Sequence, residues 1–306
     1  MITESIFEQG STHEVCEDYA VHGRGYSILA DGCSNGGGPR IDTDWGSRIL
    51  CKAAEEHLNT LKIRSFTEYM TAVGETAKTQ LRAFPNIPVA SLTATLSVCW
   101  EQEGDIKGFL VGDGIFGGKR KDGRWKIYVV DFLKGGTTDK SAPFYLKYKF
   151  CDEIDIYKTQ FGGRYEVTTY FGDLMSPKME LPEEFVSEED REEQWSNAMT
   201  TSSMEYDLEE GYWATHFPIE EYEFVFHCSD GPQAFSQYRS TGTSKSKEKI
   251  HVLDVLRVLA DIRGGSTGFL RRQRHWAFKQ DRPGTFKKKG WFGEDDVSMG
   301  VVYCGK

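Results

Sequence analysis

One pattern constrains this chain more than any other: a short apolar run that ends in an aspartate, met three times. Tyr26–Ala30 runs into Asp31-Gly32, GFLV at 108–111 runs into Gly112-Asp113-Gly114, and EFVFHC at 223–228 runs into Ser229-Asp230-Gly231. A fourth acidic group, Glu294-Asp295-Asp296, stands just before the apolar run Val297–Tyr303. Runs of that length and composition read as strands, and a strand end is where a side chain is aimed into a site. An Asp-Gly pair by itself is a hairpin signal. Asp122-Gly123, in KRKDGRWK with no apolar strand leading into it, reads as a plain turn. Repetition favours a site, because strands laid side by side bring their terminal carboxylates together.

The rest of the chain must supply the layers. Residues 1–40 read as two strands with the acidic turn Glu17-Asp18 between them. A helix is predicted from Asp44, with Trp45, Ile49, Ala53 and Leu61 on one face and Leu50, Ala54 and Leu58 beside them. Ser65-Phe66-Thr67-Glu68 matches a capping box and opens a second amphipathic helix that ends before Pro85. Alternation over 91–100 predicts a strand, and 108–114, 117–121 and 124–132 continue it as an antiparallel meander. Pattern is weak over 133–222, an excursion with a strand near 165–170 and a short helix after Ser187. Its acidic cluster at 180–193 reads as a solvated helix face, with a lid or a surface for a basic partner as the alternative. A helix over 250–262, with Leu253, Leu256, Leu259 and Ile262 inward, breaks at Gly264-Gly265. A basic helix over 266–279 and the run Lys287-Lys288-Lys289 follow. Two helices followed by successive strands give an α+β layering rather than alternating βαβ units.

Composition narrows the class. With 306 residues, 39% hydrophobic and 13% aromatic, the chain can bury a substantial core as one large domain or two small ones. A formal net charge of -10 argues against nucleic-acid binding. No apolar run is long enough to span a bilayer, and the start MITESIFEQG has neither a basic n-region nor an h-region. Seven scattered cysteines without a CxxC read as reduced thiols. A cytoplasmic location is expected.

The candidate carboxylates are Glu17, Asp18, Asp31, Asp113, Asp230, Asp295 and Asp296. Packed together they repel, and need cations or protons. An oxygen-only donor set selects hard ions, Mg²⁺ or Mn²⁺. A two-metal cluster of that kind binds phosphate oxygens and activates a water toward phosphorus. The residues thus point to metal-assisted phosphoester hydrolysis. No nucleotide P-loop, HExxH or GxSxG motif is present. His227, inside a buried-strand pattern, reads as a core histidine.

Laid out in order, these motifs resemble the metal-dependent protein phosphatase family, protein phosphatase 2C or PPM type, and look closest to its divergent bacterial branch. The matching stretches are CEDYA at 16–20, ILADGCSNGGG at 28–38, SLTATLSV at 91–98, FLVGDG at 109–114, HCSDG at 227–231 and GEDDVSMGVV at 293–302. The resemblance implies two packed antiparallel β-sheets flanked by α-helices, an αββα sandwich. It also implies a single catalytic domain over 1–306 with a flap in the excursion 133–222. Asp31 would bridge two metals with the Gly32 carbonyl on one of them, and Asp230 and Asp295 would complete the second. Glu17 and Asp18 would act through water, Asp113 with Asp230 would form a weaker third site, and Asp296, at a position often Asn, would stand behind the ligands. Two departures concern phosphate. His13 stands where the family usually has a phosphate-gripping Arg, with Arg40 or Arg24 as candidates to compensate, and CSNGGGPR replaces the commoner Gly-Gly-His form after Asp31-Gly32.

The implied activity is hydrolysis of phosphoserine and phosphothreonine in a phosphorylated protein, opposite a cognate Ser/Thr kinase, with two Mn²⁺ or Mg²⁺ per chain and a weaker third. A non-catalytic phosphoprotein-binding pseudophosphatase and a metal-dependent hydrolase of small phosphoesters are the alternatives.

Overall fold

A computed structural model describes residues 1–33, 43–60, 63, 65–138, 140–175, 193, 195–241, 244–259 and 291–305. The first residues form three strands where the pattern predicts two: β1 (Ile2–Glu8), β2 (Tyr19–Gly23) and β3 (Tyr26–Ala30). β2 escapes notice because it is a short edge strand with no fully buried position. The predicted meander becomes β4 (Leu96–Gln102), β5 (Asp105–Val111), β6 (Gly114–Arg120) and β7 (Trp125–Phe132). Next come β8 (Arg164–Gly172), β9 (Met199–Asp207), β10 (Trp213–Pro218) and β11 (Tyr222–Cys228). β12 (Phe235–Thr241), β13 (Ser244–Lys249), β14 (Trp291–Gly293) and β15 (Val297–Tyr303) complete the strands. β1-β15-β11-β6-β7-β8-β9 form a seven-stranded sheet, β10-β5-β4-β3-β2 a five-stranded sheet, and β13-β12-β14 a small third one.

Both large sheets are antiparallel, as expected, but the meander is split between them. β5 lies in the five-stranded sheet and β6 in the seven-stranded one, so the chain crosses over at Gly112-Asp113. It also crosses between sheets from β1 to β2, through the segment holding Glu17-Asp18. The registers Glu8↔Val297, Tyr19↔Ala30, Leu96↔Val111, Gly114↔Val130 and Cys228↔Met299 place all these strand ends on one end of the sandwich. Asp122-Gly123 closes the β6–β7 hairpin at the other end, with Gly123 at φ +89, as the sequence predicts.

Helices cover both outer faces. α1 (Thr43–Thr60) and α2 (Phe66–Leu81) pack on the five-stranded sheet, burying Leu50, Ala53, Met70 and Val73 with Ile28, Val98 and Phe109. The Ser65 hydroxyl caps α2 by accepting from the Glu68 N–H at 3.4 Å, matching the sequence signature. Trp45 is 42% exposed and not inward as the periodicity predicts. A Cβ at Gly46 would come within 1.6 Å of the Ser91 carbonyl oxygen, so the helix approaches Val89–Leu92 at Gly46 and turns Trp45 aside onto Phe84. Two short helices follow, α3 (Leu146–Phe150) and α4 (Ile154–Phe161). α5 (Val252–Leu259) covers the far face of the seven-stranded sheet, with Leu253, Leu256 and Leu259 against Ile127, Phe226 and Val301. Each such buried side chain contributes roughly 1.5–3 kcal/mol.

Two further readings are corrected. Residues 91–95 are not strand: Val89–Leu92 is a 3-10 turn, and the Thr93 hydroxyl folds back to the Ala90 carbonyl at 2.6 Å. The stretch 133–222 supplies three strands rather than one. β9 is exposed along almost its whole length, which erases the alternation that would betray it. The short helix expected after Ser187 is present in the described part of that stretch, where residues 193 and 195–198 are helical and Trp195 is buried. The acidic cluster over 180–192, the break at Gly264-Gly265, the basic helix over 266–279 and Lys287-Lys288-Lys289 lie outside the described residues. None of the seven cysteines is in a disulfide. No described helix is long and apolar enough to cross a membrane.

The two sheets are also joined by a polar contact. His227 on β11 is fully buried, and its Nδ1 lies 2.7 Å from the Ser97 hydroxyl on β4. Burial pushes the imidazole down to about 3, so it is neutral, a core histidine as predicted. Gly300 leaves the room for it: a Cβ there would lie 2.0 Å from Ser27 Oγ and 2.4 Å from His227 Nε2. Gly300→Ala is therefore expected to lower stability by about 1–3 kcal/mol, the usual cost of overpacking, seen as a lower denaturant midpoint with unchanged slope.

Candidate functional site

At the crossover end lies a cavity of about 260 Å³. His13, Glu17, Asp31, Gly32, Asp113, Asp230 and Asp295 line it, with Cys33, Thr95, Pro143 and Tyr145 completing the wall. Asp18 and Asp296 lie buried behind it, each 1% exposed. Arg40 lies outside the described residues. Arg24 sits in the turn between β2 and β3, at the opposite end of the sheet, and so does not reach in.

The fold holds each carboxylate by its backbone. Past Ala30 the β3 strand is prolonged by pairing of Gly32 with Ala94, and Cys33 N–H donates to the Thr93 carbonyl at 3.0 Å. Asp31 N–H donates to the Thr95 hydroxyl at 3.2 Å, and Thr95 N–H to the Asp31 carbonyl at 2.8 Å. Asp230 opens the 3-10 turn Gly231–Ala234, which leads into β12. Gly231 is required there, since a Cβ would lie 1.9 Å from the Asp296 carbonyl oxygen. β12 pairs with β14 at Phe235↔Gly293, and β14 leads directly into Glu294 and Asp295. The small sheet thus brackets Asp230 and Asp295 together.

Around Asp18, the Ser229 hydroxyl donates to Oδ2 at 2.9 Å and itself accepts from Ser298 N–H at 3.0 Å. Asp296 accepts from Gly10 N–H at 2.7 Å and Glu17 N–H at 2.5 Å. His13 stands between two carboxylates, its Nδ1 3.0 Å from Asp296 and its Nε2 3.4 Å from Asp295.

This density of carboxylates sets the electrostatics. Burial, reinforced by the Asp296 charge and only partly offset by hydrogen bonds, pushes Asp18 up to about 7. Burial and the Asp295 charge push Asp230 up to about 6. Asp31 is held well above the carboxylate range by burial and by Asp18, Asp230 and Asp295; Asp113 by burial, Asp230, Asp131 and Asp295. Burial also raises Asp295. Burial pulls His13 down, but the Asp296, Asp295 and Glu17 carboxylates outweigh it and raise the imidazole.

The donor set fits a hard divalent cation. It is all oxygen, and Asp18 Oδ1 and Asp230 Oδ1 are buried with no hydrogen-bond partner. Among the described residues no three His, Cys, Asp or Glu side chains are drawn together at ion-holding distances. The carboxylates surround a cavity rather than forming a closed cage.

A second cleft, of about 510 Å³, shares Asp230 with the first and is lined by Asp131, Gln233, Ser236, Lys247, Lys249 and Glu294. Asp131 is a residue that sequence reasoning misses. It ends the apolar run of β7, takes a hydrogen bond from Gln233 at 3.1 Å, and lies close enough to raise both Asp113 and Asp230. The signal is the same run ending in an aspartate, without the following glycine. Lys247 pairs with Glu294 at 2.5 Å. No Lys or Arg among the described residues lines the carboxylate cavity.

Sequence comparison with family models and with curated proteins finds no match. Many of the solved structures similar to the chain from end to end are PPM-type Ser/Thr phosphatases. One is the phosphatase MsPP from Mycobacterium smegmatis in complex with cacodylate, at 13% identity and a TM-score of 0.46, covering 100% of this chain and 99% of that one. Another is Stp1 from Staphylococcus aureus, at 9% identity and TM-score 0.46, covering 99% and 95%. A third is the catalytic domain of PstP in complex with two manganese ions, at 11% identity and TM-score 0.42, covering 98% and 96%.

The raised carboxylates fix the sign of the pH dependence of the metal-free protein. Their native values lie above the ordinary 3.8, so between about 4 and about 7 the folded state binds more protons than the unfolded one. The raised His13 acts in the same sense. Stability of the metal-free protein is expected to fall as pH rises through that window. Thermal melts in chelator at pH 5 and pH 7.5 check it, with the higher Tm expected at pH 5.

Proposed function

We propose that the chain is a divalent-metal-dependent phosphatase of phosphoserine and phosphothreonine in proteins. The observation that carries this reading is the gathering of Glu17, Asp31, Asp113, Asp230 and Asp295, from separate strand ends, around one cavity, with Asp18 buried behind them. A phosphomonoester dianion does not enter such a field unless cations reverse it. Asp31, the Gly32 carbonyl, Asp230 and Asp295 would hold two ions, Mn²⁺ or Mg²⁺, with Glu17 and Asp18 acting through water and Asp113 with Asp230 as a weaker third site. Bound there, the ions would neutralise phosphate charge and supply an activated water for attack on phosphorus.

The chain's own residues orient this chemistry. Asp31 is fixed by its two backbone bonds to Thr95, and Asp230 and Asp295 by the small sheet. Thr95 and Tyr145 add uncharged, hydroxyl-bearing side chains to the wall. Room beside Asp230, in the second cleft, supports a polypeptide substrate over a small phosphoester. We read residues 1–306 as one catalytic domain in the cytoplasm, opposing a Ser/Thr kinase. Pro143 and Tyr145, both from 133–222, line the cavity and support a flap role for part of that stretch. One observation favours a second reading, a phosphoprotein-binding pseudophosphatase: the cavity wall has no described Lys or Arg to grip phosphate.

Turnover of a phosphothreonine peptide separates these readings. With Mn²⁺ added the chain is expected to hydrolyse it, and chelator is expected to abolish the activity. Asp31→Asn, Asp230→Asn and Asp295→Asn are each expected to lower kcat by about 10²-fold or more, the scale of losing one electrostatic partner of the transition state. Binding of the phosphopeptide without hydrolysis at any metal concentration would instead support the pseudophosphatase.

A further inference from the structure

We infer that Asp296 is a positioning residue whose carboxylate, and not only its shape, sets Glu17 and Asp18 at the cavity. The inference rests on the metal-site reading above and concerns how the chain prepares that site. Between Glu8, where β1 ends, and Tyr19, where β2 begins, the chain forms no strand or helix. That segment nonetheless carries Glu17 and Asp18 and must hold them against the repulsion of their neighbours.

What holds it is the start of the closing strand. Gly10 N–H donates to one oxygen of the Asp296 carboxylate at 2.7 Å, and Glu17 N–H donates to the other at 2.5 Å. His13 Nδ1 lies 3.0 Å from that second oxygen. Gly10 lies flat on the chain before Asp296, since a Cβ there would come within 2.3 Å of the Asp295 carbonyl carbon. Ser11 and Thr12 N–H donate to the Gly293 and Glu294 carbonyls at 3.0 and 3.3 Å. From the other side the Ser47 hydroxyl donates to the Glu17 carbonyl at 2.6 Å. One buried side chain thus ties both ends of the segment, and Glu17 is held by its amide and its carbonyl at once.

This wiring is specific for a carboxylate. Two backbone N–H groups approach two different oxygens, and a carboxylate accepts at both. An asparagine has the same shape but only one acceptor. Its NH₂ would face either the Gly10 or the Glu17 N–H, donor against donor, at a side chain that is 1% exposed. A buried donor left without a partner costs enough to displace the segment rather than be tolerated. Displacement would move Glu17 and Asp18 while leaving both large sheets intact.

The test uses the full chain with Asp296→Asn and, separately, Ser47→Ala, which removes the second anchor of Glu17 together with the hydroxyl's longer contact, 3.1 Å, to the Asp44 carbonyl. Mn²⁺ affinity by calorimetry, thermal stability, and kcat and KM for a phosphothreonine peptide are measured on each. Asp296→Asn is expected to weaken Mn²⁺ binding by about tenfold or more and to lower kcat with little change in KM. Ser47→Ala should weaken binding in the same direction by a smaller factor, with native near-UV circular dichroism. A folded Asp296→Asn protein with wild-type Mn²⁺ affinity and kcat would overturn the inference. If Asp296→Asn does not fold, Ser47→Ala decides: weakened Mn²⁺ binding supports the inference and unchanged binding overturns it. A wild-type chain that binds no Mn²⁺ at all would overturn the metal-site reading, and this inference with it.

Discussion

Repulsion among carboxylates at one end of the sandwich is the constraint on which the rest of the molecule depends. Asp18, Asp31, Asp113 and Asp230 are pushed above their ordinary range by burial and by one another. A flexible chain would separate such groups when they are charged, because only cations or shared protons offset their repulsion. Asp31, Asp113 and Asp230 stay together because each stands just beyond the end of a buried strand, and Asp18 because Ser229 holds its carboxylate and Asp296 the amide before it. The apolar core, spread over both faces of the seven-stranded sheet, is what holds the acidic end closed.

Topology does the gathering. The chain passes between sheets at Glu17-Asp18 and at Gly112-Asp113, and both crossings fall on the end where Asp31, Asp230 and Asp295 emerge. The small sheet β13-β12-β14 then couples Asp230 to Asp295 by pairing the strand after one with the strand before the other. At the centre, the buried His227 joins β11 to β4 through Ser97. Each layer therefore contributes to one site, and the second cleft adjoins it at Asp230.

Much of this is legible in the sequence, and for physical reasons. A buried strand must be apolar, so an aspartate at its end stands out; Asp31, Asp113, Asp230 and Asp295 all reach the same cavity. β15 has the bounds its apolar run predicts, and α2 begins at its capping box. What is not legible is equally instructive. β2 and β9 are edge strands whose exposed positions carry no alternation. Which sheet a strand joins leaves no mark on its residues, so a meander reading of β4 to β7 misses the crossover. Asp131 hides because it lacks the glycine used to find the others. His13, at the position of the family's phosphate-gripping Arg, lines the cavity and also lies between Asp295 and Asp296, a partnership across the length of the chain that no local pattern encodes.

The most direct measurement of the central claim is anomalous X-ray scattering from crystals of the full chain grown with Mn²⁺. Manganese peaks within coordination distance of Asp31, Asp230 and Asp295 are predicted, with Glu17 and Asp18 one water away. Well-ordered density for these carboxylates with no manganese among them, at metal concentrations that saturate the crystal, would contradict the account.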